Sequence, residues 1–460
     1  MKEIKIRKQH KKNLNATRKI ALSFALVILT GSILLSLPIT NKGEPTSYLN
    51  HLFIATSATC VTGLVPVVPA EQYNLFGQIV IMALIQIGGL GFLTFLSMFL
   101  VHTKKLTLQS KLTVQESLNI TSLENLPRFL KNVIGYTFLF ETIGAILLAL
   151  VFVPEYGFIQ GVYYGIFHAV SAFCNAGFDV LGANSLIGYQ SNVIVNLTIC
   201  SLIILGGIGF YVWFDVGNKI KTGLKYNRSV KKIWQSFELH SKLAISITIG
   251  LLSIGTLLFL LTEYDNALLD MNFFEKLLCS FFQSTTLRTA GFATVDYSTL
   301  NVVTKAFMCL LMFIGGSPAG TAGGIKTTTL GLMLAIAKSS IKGENHIHCF
   351  ERRIEDSVLK NILTMLLISM SIVFCGILIL SITDSKSFID LTFEVFSAFA
   401  TVGLSANYTA GLSSIGKITI ILLMYIGRIG PVTMMLSFLR QSKINHAHHA
   451  VYPKGEILIG

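Results

Sequence analysis

Residues 56–64 read TSATCVTGL, and a related stretch that ends at a glycine occurs three more times along the chain. The four glycines, Gly63, Gly177, Gly291 and Gly403, lie 114, 114 and 112 residues apart. Glycine is favoured where the backbone takes a positive φ or comes close to another group. The spacing indicates a fourfold internal repeat and predicts four backbone segments around one axis, which is how cation selectivity filters are built.

The residues around each glycine follow one template. A phenylalanine stands ten residues before the glycine in each copy: Phe53, Phe167, Phe281 and Phe393. A hydroxyl residue stands six before it: Ser57, Ser171, Thr285 and Ser397. Tight turns without an ion are the alternative interpretation, but they do not account for the fourfold recurrence.

The composition is typical of a membrane protein. Apolar residues make up 52% of the 460 residues and charged residues 13%, against about 25% charged in soluble domains. A membrane-crossing helix needs about 20 mostly apolar residues. Eight stretches qualify: 20–38, 75–101, 132–153, 192–216, 243–262, 302–338, 357–383 and 413–438. They form four pairs, and each pair encloses a shorter apolar segment that ends at one of the glycines and is expected to dip into the membrane and return.

The basic residues predict the orientation. Most of the 36 Lys and Arg lie in two tails and three linkers, and such clusters mark the cytoplasmic side. Both termini of this multi-pass plasma-membrane chain are therefore expected in the cytoplasm, and the net charge of +13 needs no nucleic acid partner. The predicted divisions are tail 1–19, repeat 1 at 20–101, linker 102–131, repeat 2 at 132–216, linker 217–242, repeat 3 at 243–338, linker 339–356, repeat 4 at 357–440 and tail 441–460.

The sequence does not favour an enzyme or a bound cofactor. Its ionisable residues expected within the membrane form a poor catalytic set. They are Glu141, Arg288, Lys326, Glu394 and Arg428, with Asp215 at a helix end. The seven cysteines show no paired spacing, and the histidines near 346–348 and 446–449 are expected in solvated loops.

Five motifs together resemble the Trk/Ktr/HKT superfamily of potassium transporters, and in particular the membrane subunits of bacterial Ktr systems. They are TSATCVTGL (56–64), FCNAGF (173–178), RTAGF (288–292), TVGL (401–404) and YPKGE (452–456). The resemblance covers nearly the whole chain. It implies an all-α integral membrane protein with four tandem repeats of outer helix, pore helix and inner helix around a pseudo-fourfold pore, with eight transmembrane helices plus four re-entrant pore helices.

The predicted selectivity filter consists of four segments. They are Thr59, Cys60, Val61, Thr62 and Gly63; Cys174, Asn175, Ala176 and Gly177; Arg288, Thr289, Ala290 and Gly291; and Ala400, Thr401, Val402 and Gly403. Carbonyl oxygens can replace the hydration shell of a weakly hydrated ion such as K⁺, whereas a divalent ion calls for carboxylates. K⁺ at the filter is therefore the only metal ion expected, and transport of Na⁺ is left open.

A second fourfold pattern lies downstream of the glycines, and its fourth copy differs from the others. The copies are IGGLG (87–91), LGGIG (205–209), IGGSP (314–318) and IGRIG (426–430). An arginine within a span costs about 3 kcal/mol on insertion scales and usually faces a cavity or a partner. Arg428 is therefore predicted beneath the filter, facing the ion path, while close helix packing is the alternative role of the glycines.

Repeat 3 contains GGSPAGTAGGIKTTT at 315–329, which cannot remain a regular helix. Irregular backbone at membrane depth is tolerated where it lines a cavity or is packed by protein, so a loop across the pore is predicted; a kinked helix is the alternative. The resemblance implies that this loop is a gate. The predicted gate residues are Gly315, Gly316, Ser317, Pro318, Ala319, Gly320, Thr321, Ala322, Gly323, Gly324, Lys326 and Arg428.

Two further charges stand near the filter segments. Arg288 precedes Gly291 by three residues, and Glu394 is near the start of the fourth short segment. Because neither charge should be buried alone, an Arg288 to Glu394 pair is expected to brace the filter between repeats 3 and 4.

These patterns predict K⁺ uptake by the ion-translocating subunit of a Ktr-type system. The alternative is a secondary cation carrier coupled to Na⁺ or H⁺, whose sites usually come from two broken-helix repeats. The resemblance implies a homodimer that sits in the lipid bilayer on a cytosolic nucleotide-binding ring of RCK type. Na⁺ dependence occurs in parts of the family, and the residues alone do not decide it.

Overall fold

The computed structural model describes residues 16–91, 126–344 and 346–438. The regular secondary structure of these residues is helical, apart from a short antiparallel hairpin of β1 (His348–Cys349) and β2 (Arg352–Arg353). Most of both predicted tails, most of the linker 102–131 and the YPKGE motif lie outside the described residues.

Seventeen α-helices occur in the described ranges. In chain order they are α1 (Ala16–Ser36), α2 (Tyr48–Thr59), α3 (Pro69–Gln72), α4 (Leu75–Leu90), α5 (Leu126–Tyr156), α6 (Phe158–Phe173), α7 (Val193–Gly207), α8 (Phe210–Lys225), α9 (Val230–Ser236), α10 (Leu239–Glu263), α11 (Phe273–Thr286), α12 (Val302–Phe313), α13 (Thr327–Ile341), α14 (Asp356–Thr383), α15 (Phe388–Ala400), α16 (Ser414–Ile429) and α17 (Pro431–Phe438).

Four of these helices are long and apolar enough to cross a membrane: α1, α5, α10 and α14. They coincide with the first member of each predicted pair. Their outward faces carry large apolar side chains; on α5, for example, Phe138, Ile146 and Leu150 are 57%, 58% and 63% exposed. Contiguous exposed apolar surface of this kind is stable against lipid chains and unfavourable in water.

A short and largely buried helix follows each long one: α2, α6, α11 and α15. The start of α11 is fixed by a capping box, in which the Asn272 side chain accepts from the Glu275 amide and the Glu275 carboxylate accepts from the Asn272 amide, each at 3.0 Å. Such reciprocal caps satisfy amide groups that the first turn leaves without partners. All four short helices end at the template glycine segments.

In repeats 1, 2 and 4 the next helix is also capped at its start. Asn74, Asn192 and Ser413 accept hydrogen bonds from backbone amides in the first turns of α4, α7 and α16, at 3.1, 3.1 and 3.0 Å. Asn and Ser are preferred at this position because their side-chain oxygen reaches those amides.

These helices are shorter than predicted, because each ends at the second glycine pattern. Gly91, Gly209 and Gly430 take φ values of 80°, 96° and 96°, which a continuing α-helix does not allow. The helices α7 and α8 meet at Gly209 with a bend of 97°. The predicted continuous spans 192–216 and 413–438 are therefore wrong, since both are broken like the span 302–338.

The buried core surrounds the glycine segments. Phe53, Phe167 and Phe393 of the template are fully buried. In repeat 3 the fully buried residue is Phe282, whereas Phe281 is only partly buried. The template therefore shifts by one residue in α11, a shift that recurs at the site below.

Candidate ion site

The backbone turns in the same way after each short helix. A residue with a non-glycine side chain and positive φ stands two positions before each template glycine: Val61 (52°), Asn175 (58°), Thr289 (66°) and Thr401 (55°). The glycines follow with φ of 100°, 66°, 82° and 94°. A positive φ is uncommon at residues other than glycine. Its recurrence at equivalent positions shows that the four segments share one local backbone geometry.

The template hydroxyl residues hold these turns. The amides of Gly63 and Gly403 donate to the side chains of Ser57 and Ser397 at 3.0 and 3.1 Å. Ser171 instead donates to the carbonyl of Phe178 at 2.7 Å.

In repeat 3 the hydroxyl that holds the turn is not the predicted Thr285. Thr286 donates to the carbonyl of Phe292 at 2.7 Å, and Thr285 bonds within its own helix, to the carbonyl of Phe281. The turn of this repeat is one residue shorter, since the Ala290 amide bonds four residues back while the equivalent amides of the other repeats bond five residues back.

The four glycines meet in a closed ring. A Cβ added to Gly63 would lie 2.7 Å from the carbonyl oxygen of Ala176, one added to Gly177 would lie 2.5 Å from that of Ala290, and one added to Gly291 would lie 2.7 Å from that of Val402. A Cβ on Gly403 would collide with the carbonyl oxygen of Thr62 and closes the ring. Each glycine thus faces the carbonyl that precedes the glycine of the next repeat.

Several side-chain oxygens at the ring are buried without a hydrogen-bond partner. They are the hydroxyls of Thr59, Thr62, Thr289 and Thr401. An unpaired buried polar atom costs about 1–3 kcal/mol and calls for a ligand or ordered water. The ring therefore offers oxygen ligands beyond those that the protein itself uses.

The loop between α12 and α13 packs against the break in repeat 2. The amides of Ser317 and Thr321 donate to the carbonyls of Gly207 and Gly206 at 2.8 and 3.1 Å, and the Phe210 amide donates to Ala319 at 2.8 Å. These bonds satisfy carbonyls that the end of α7 leaves free.

The same loop reaches the glycine ring. The Thr321 hydroxyl bonds the side chain of Asn175 at 3.1 Å and the carbonyl of Phe173 at 3.2 Å. Asn175 in turn donates to the carbonyl of Arg288 at 3.2 Å. One residue of the predicted gate is therefore linked through Asn175 to two of the predicted filter segments.

Arg428 joins three repeats. Its guanidinium donates to the carbonyls of Gly88 at 2.5 Å and Gly89 at 3.1 Å in repeat 1, and to the carbonyl of Thr321 in the loop of repeat 3. Lys326, the other basic residue of the predicted gate, donates to the Ala322 carbonyl at 2.7 Å. Both basic side chains therefore donate to backbone carbonyls, and each of them bonds at least one carbonyl of the loop.

The glycines of the second pattern allow close packing. A Cβ on Gly88, Gly206 or Gly427 would collide with the carbonyl oxygen of Thr59, Phe173 or Phe399 respectively. Thr59 and Phe173 are the last residues of α2 and α6, and Phe399 is the last but one of α15. The glycines therefore let the next helix of each of these repeats pack closely against the end of its short helix. The packing role predicted as an alternative fits these contacts.

The expected Arg288 to Glu394 pair is not formed. Arg288 donates to the Gly315 carbonyl at 3.4 Å, and Glu394 accepts from the Thr409 hydroxyl. The reason is depth: Arg288 lies beyond the C-terminal end of α11, whereas Glu394 lies at the middle of α15. Within the described residues the ion pair between these repeats is Lys305 with Asp390, at 2.8 Å.

The family model described as TrkH, cation transport protein, matches residues 4–447. The potassium/sodium uptake protein NtpJ of Enterococcus hirae is 40% identical over 99% of both chains. The Ktr system potassium uptake protein B of Bacillus subtilis is 40% identical over 96% of both chains.

A solved structure shares the fold. The potassium transporter TrkH from Vibrio parahaemolyticus superposes with a TM-score of 0.74 and 16% identity, over 94% of this chain and 86% of that one. Together with the match along nearly the whole sequence, this assigns the chain to the TrkH family of cation transport proteins.

Proposed function

We propose that this protein takes up K⁺ across the cell membrane as the ion-translocating subunit of a Ktr-type system. The observation that carries the proposal is the closed ring, in which Gly63, Gly177, Gly291 and Gly403 each face a backbone carbonyl of the next repeat. Neutral carbonyl dipoles in a ring suit a monovalent, weakly hydrated cation. The names of the relatives in Enterococcus hirae and Bacillus subtilis support the same substrate.

The finer architecture belongs to the same proposal. Each repeat supplies an outer helix, a re-entrant pore helix and an inner helix to a pseudo-fourfold pore, with eight transmembrane passages in all and both termini in the cytoplasm. The long helices α1, α5, α10 and α14 support the outer positions. The apolar stretches of repeats 2 and 4 are each divided into two helices at Gly209 and Gly430, so in this proposal the inner helices of these repeats end at those glycines.

The filter in this proposal is the set of four segments named above, and the loop at 315–326 with Arg428 is the gate below it. Support comes from the bonds of Thr321 to Asn175 on one side and to Arg428 on the other. A carrier with two broken-helix repeats is less well supported, because four short helices, and not two, bring residues to the ring.

The proposal includes a homodimer on a cytosolic nucleotide-binding ring. The word system in the names of two Bacillus subtilis relatives supports a second component. Opening of the gate then depends on that component, since the described residues contain no large soluble domain.

Ion flux into liposomes tests the function. Purified protein alone is reconstituted. Uptake of K⁺ is measured with and without Na⁺ in the medium, uptake of Na⁺ is measured separately, and protein-free liposomes are the control for both. K⁺ uptake that exceeds Na⁺ uptake supports the filter. Equal uptake of both ions contradicts the filter. Absence of any ion uptake, if it persists after the gate loop is shortened, also contradicts it.

A further inference from the structure

The helical hairpin of α8 and α9 carries an unbalanced positive charge. Between Asp215 and Glu238 the sequence has six basic residues and no acidic one. The basic residues are Lys219, Lys221, Lys225, Arg228, Lys231 and Lys232. The stretch 338–356, which connects repeats 3 and 4, has four basic and four acidic residues. A position between two repeats on the cytoplasmic side therefore does not by itself require an excess of six positive charges.

The two acids that flank this stretch are already bonded within the protein. Asp215 is only 7% exposed, and its carboxylate accepts from the Glu238 amide at 2.9 Å. The Glu238 carboxylate accepts from the Tyr211 hydroxyl. Within the described residues none of the six basic side chains forms an ion pair. The hairpin therefore presents its charge to an anionic partner outside the chain.

The α8–α9 hairpin is a packed unit and not a loose connection. A Cβ added to Gly223 of α8 would meet the Ile233 side chain of α9 at 2.5 Å, and the Arg228 amide donates to the Gly223 carbonyl at 2.8 Å. The bond between Glu238 and Asp215 closes the hairpin at its base. The basic side chains are therefore held on one fixed surface.

Apolar side chains lie beside the basic ones on α8. Ile220 and Leu224 are 41% and 70% exposed, and they share a face of the helix because they stand one turn apart. Lys221 and Lys225, which are both exposed, lie on the adjacent face. A helix that carries exposed apolar residues next to lysines is typical of a membrane surface.

The direction of α8 agrees with such a position. This helix leaves α7 at Gly209 with a bend of 97°. In the proposed function α7 crosses the membrane, so α8 runs along the plane of the membrane. The orientation of α8 rests on the proposed function, whereas its charge and its exposed apolar residues do not.

We propose that the α8–α9 hairpin binds anionic phospholipids at the bilayer surface, with Lys221 and Lys225 at the headgroup phosphates and Leu224 among the acyl chains. Each lysine or arginine near an anionic membrane strengthens binding about fivefold. A soluble anion neutralises the lysines but leaves Ile220 and Leu224 in water. A zwitterionic lipid covers the apolar side chains but brings no net negative charge. An anionic lipid does both.

The hairpin is also bonded to the predicted gate. The amide of Phe210, the first residue of α8, donates to the Ala319 carbonyl of the loop at 2.8 Å. Lipid bound to α8 is therefore expected to hold the loop in the position that the structure shows. This step also rests on the proposed function, and it predicts a lower K⁺ flux when anionic lipid is present.

Tryptophan fluorescence tests the site. The two tryptophans of the chain, Trp213 and Trp234, lie in α8 and α9. The intact protein is reconstituted into phosphatidylcholine liposomes that contain a minor fraction of phosphatidylglycerol. Bromine, which quenches tryptophan, is carried either by the phosphatidylglycerol or by an equal amount of the phosphatidylcholine. We expect stronger quenching by brominated phosphatidylglycerol, and equal quenching by the two lipids would overturn the proposal.

Two matched pairs of substitutions locate the binding. Lys221→Gln together with Lys225→Gln should weaken the binding of phosphatidylglycerol about twentyfold, so that more of this lipid is needed for half of the quenching. Lys338→Gln together with Lys342→Gln removes the same charge at the same spacing from the balanced stretch, and it should leave quenching unchanged. An equal loss in both pairs would assign the effect to general surface charge and overturn the proposal.

Two further measurements separate a lipid from a soluble anion. Leu224→Ser should reduce quenching by either brominated lipid, and unchanged quenching would contradict a position among the acyl chains. Inorganic phosphate, added at constant ionic strength, should leave the difference between the two lipids in place. Loss of that difference would assign the surface to a soluble anion. Since Leu224 and the four substituted lysines are exposed, thermal unfolding of every variant should match that of the parent protein.

Quenching does not require transport, so the site and the proposed function fail separately. A protein that shows the difference between the lipids but no K⁺ uptake would leave the site intact and contradict only the function. For the coupling, the Lys221→Gln and Lys225→Gln variant should exceed the parent in K⁺ flux when phosphatidylglycerol is present and equal it in phosphatidylcholine alone. Equal flux in both lipids would overturn only the coupling to the loop.

Discussion

The guanidinium of Arg428 donates to the carbonyl oxygen of Gly88 at 2.5 Å, although the two residues stand 340 positions apart in the sequence. The same side chain also bonds Thr321 in the loop of repeat 3. One cation therefore joins the first, third and fourth repeats.

Arg428→Ala removes both the charge and these bonds. A unit charge about 4 Å from a cation is worth about 4 kcal/mol at an effective dielectric constant of 20, so K⁺ flux in liposomes should rise by at least about tenfold. Arg428→Lys keeps the charge but loses the forked donor geometry. It should leave flux low and reduce thermal stability; equal flux in parent, Ala and Lys variants would contradict a position in the ion path.

Gly63→Ser should abolish the preference for K⁺ over Na⁺. Its Cβ would meet the carbonyl of Ala176 at 2.7 Å, and the backbone has a φ of 100° that serine rarely takes. The measurement is the ratio of K⁺ to Na⁺ uptake in liposomes. Gly250→Ser is the control, because a Cβ there meets nothing within 4 Å, and a change of the same size in both variants would argue against a local effect at the ring.

Shortening the loop should increase K⁺ flux. Deletion of residues 316–323 removes the contacts of Ser317 and Thr321 with the end of α7. A milder variant, Thr321→Val, keeps the loop but loses the bond to Asn175, and it should raise flux to an intermediate level. Flux at the parent level in both variants, with normal thermal unfolding, would be incompatible with a gate at this position.

Lys305 and Asp390 should be coupled in stability. Lys305 has only 7% of its side chain exposed and bonds Asp390 at 2.8 Å. Removing one partner leaves a largely buried charge, which costs about 3–5 kcal/mol. Lys305→Met and Asp390→Asn should each lower the free energy of unfolding, and the double variant should lose less than the sum; strict additivity in thermal or denaturant unfolding would show that the pair is not coupled.

Uptake should fall in acid because of Asp179. This residue lies just after the second glycine segment, and burial raises the pKa of its carboxyl to about 6, against the hydrogen bonds that lower it. Above pH 6 the charged form attracts cations to the ring, and below pH 6 the neutral form does not, so K⁺ flux should decrease as pH falls through 6. Burial of the charge also destabilises the fold at high pH, so thermal stability should change in the opposite direction.

Asp179→Asn tests the assignment. The variant should show low flux that no longer depends on pH between 5 and 7, values that bracket the pKa of about 6. Asp265→Asn, at an exposed position between α10 and α11, is the control and should keep the parent profile. An unchanged pH profile in Asp179→Asn would assign the titration to another group.

Sequence periodicity identified the four segments that meet at the ring. A backbone position that requires a positive φ favours glycine, and that glycine recurs at the same place in each repeat. The same pattern occurs at Gly209 and Gly430, whose motifs also end in glycine, but the long apolar runs around them favoured continuous helices. A hydropathy profile reports how apolar a stretch of sequence is, and it does not reveal a turn within that stretch.

The error at Arg288 and Glu394 has a different origin. Position within the repeat template places a residue around the axis, but position along the short helix decides its depth. Arg288 lies past the C-terminal end of α11, while Glu394 lies at the middle of α15. Likewise, the shift from Thr285 to Thr286 follows from a turn that is one residue shorter. A spacing of 114 residues between neighbouring glycines does not reveal it.

The contact between Gly403 and Thr62 also bears on biosynthesis. The ring is closed only when a residue from the last quarter of the chain reaches one near its beginning. Domains form in order as the ribosome delivers them, so a nascent chain of three repeats has no complete site. The glycine ring is therefore completed only when the last repeat has been synthesised.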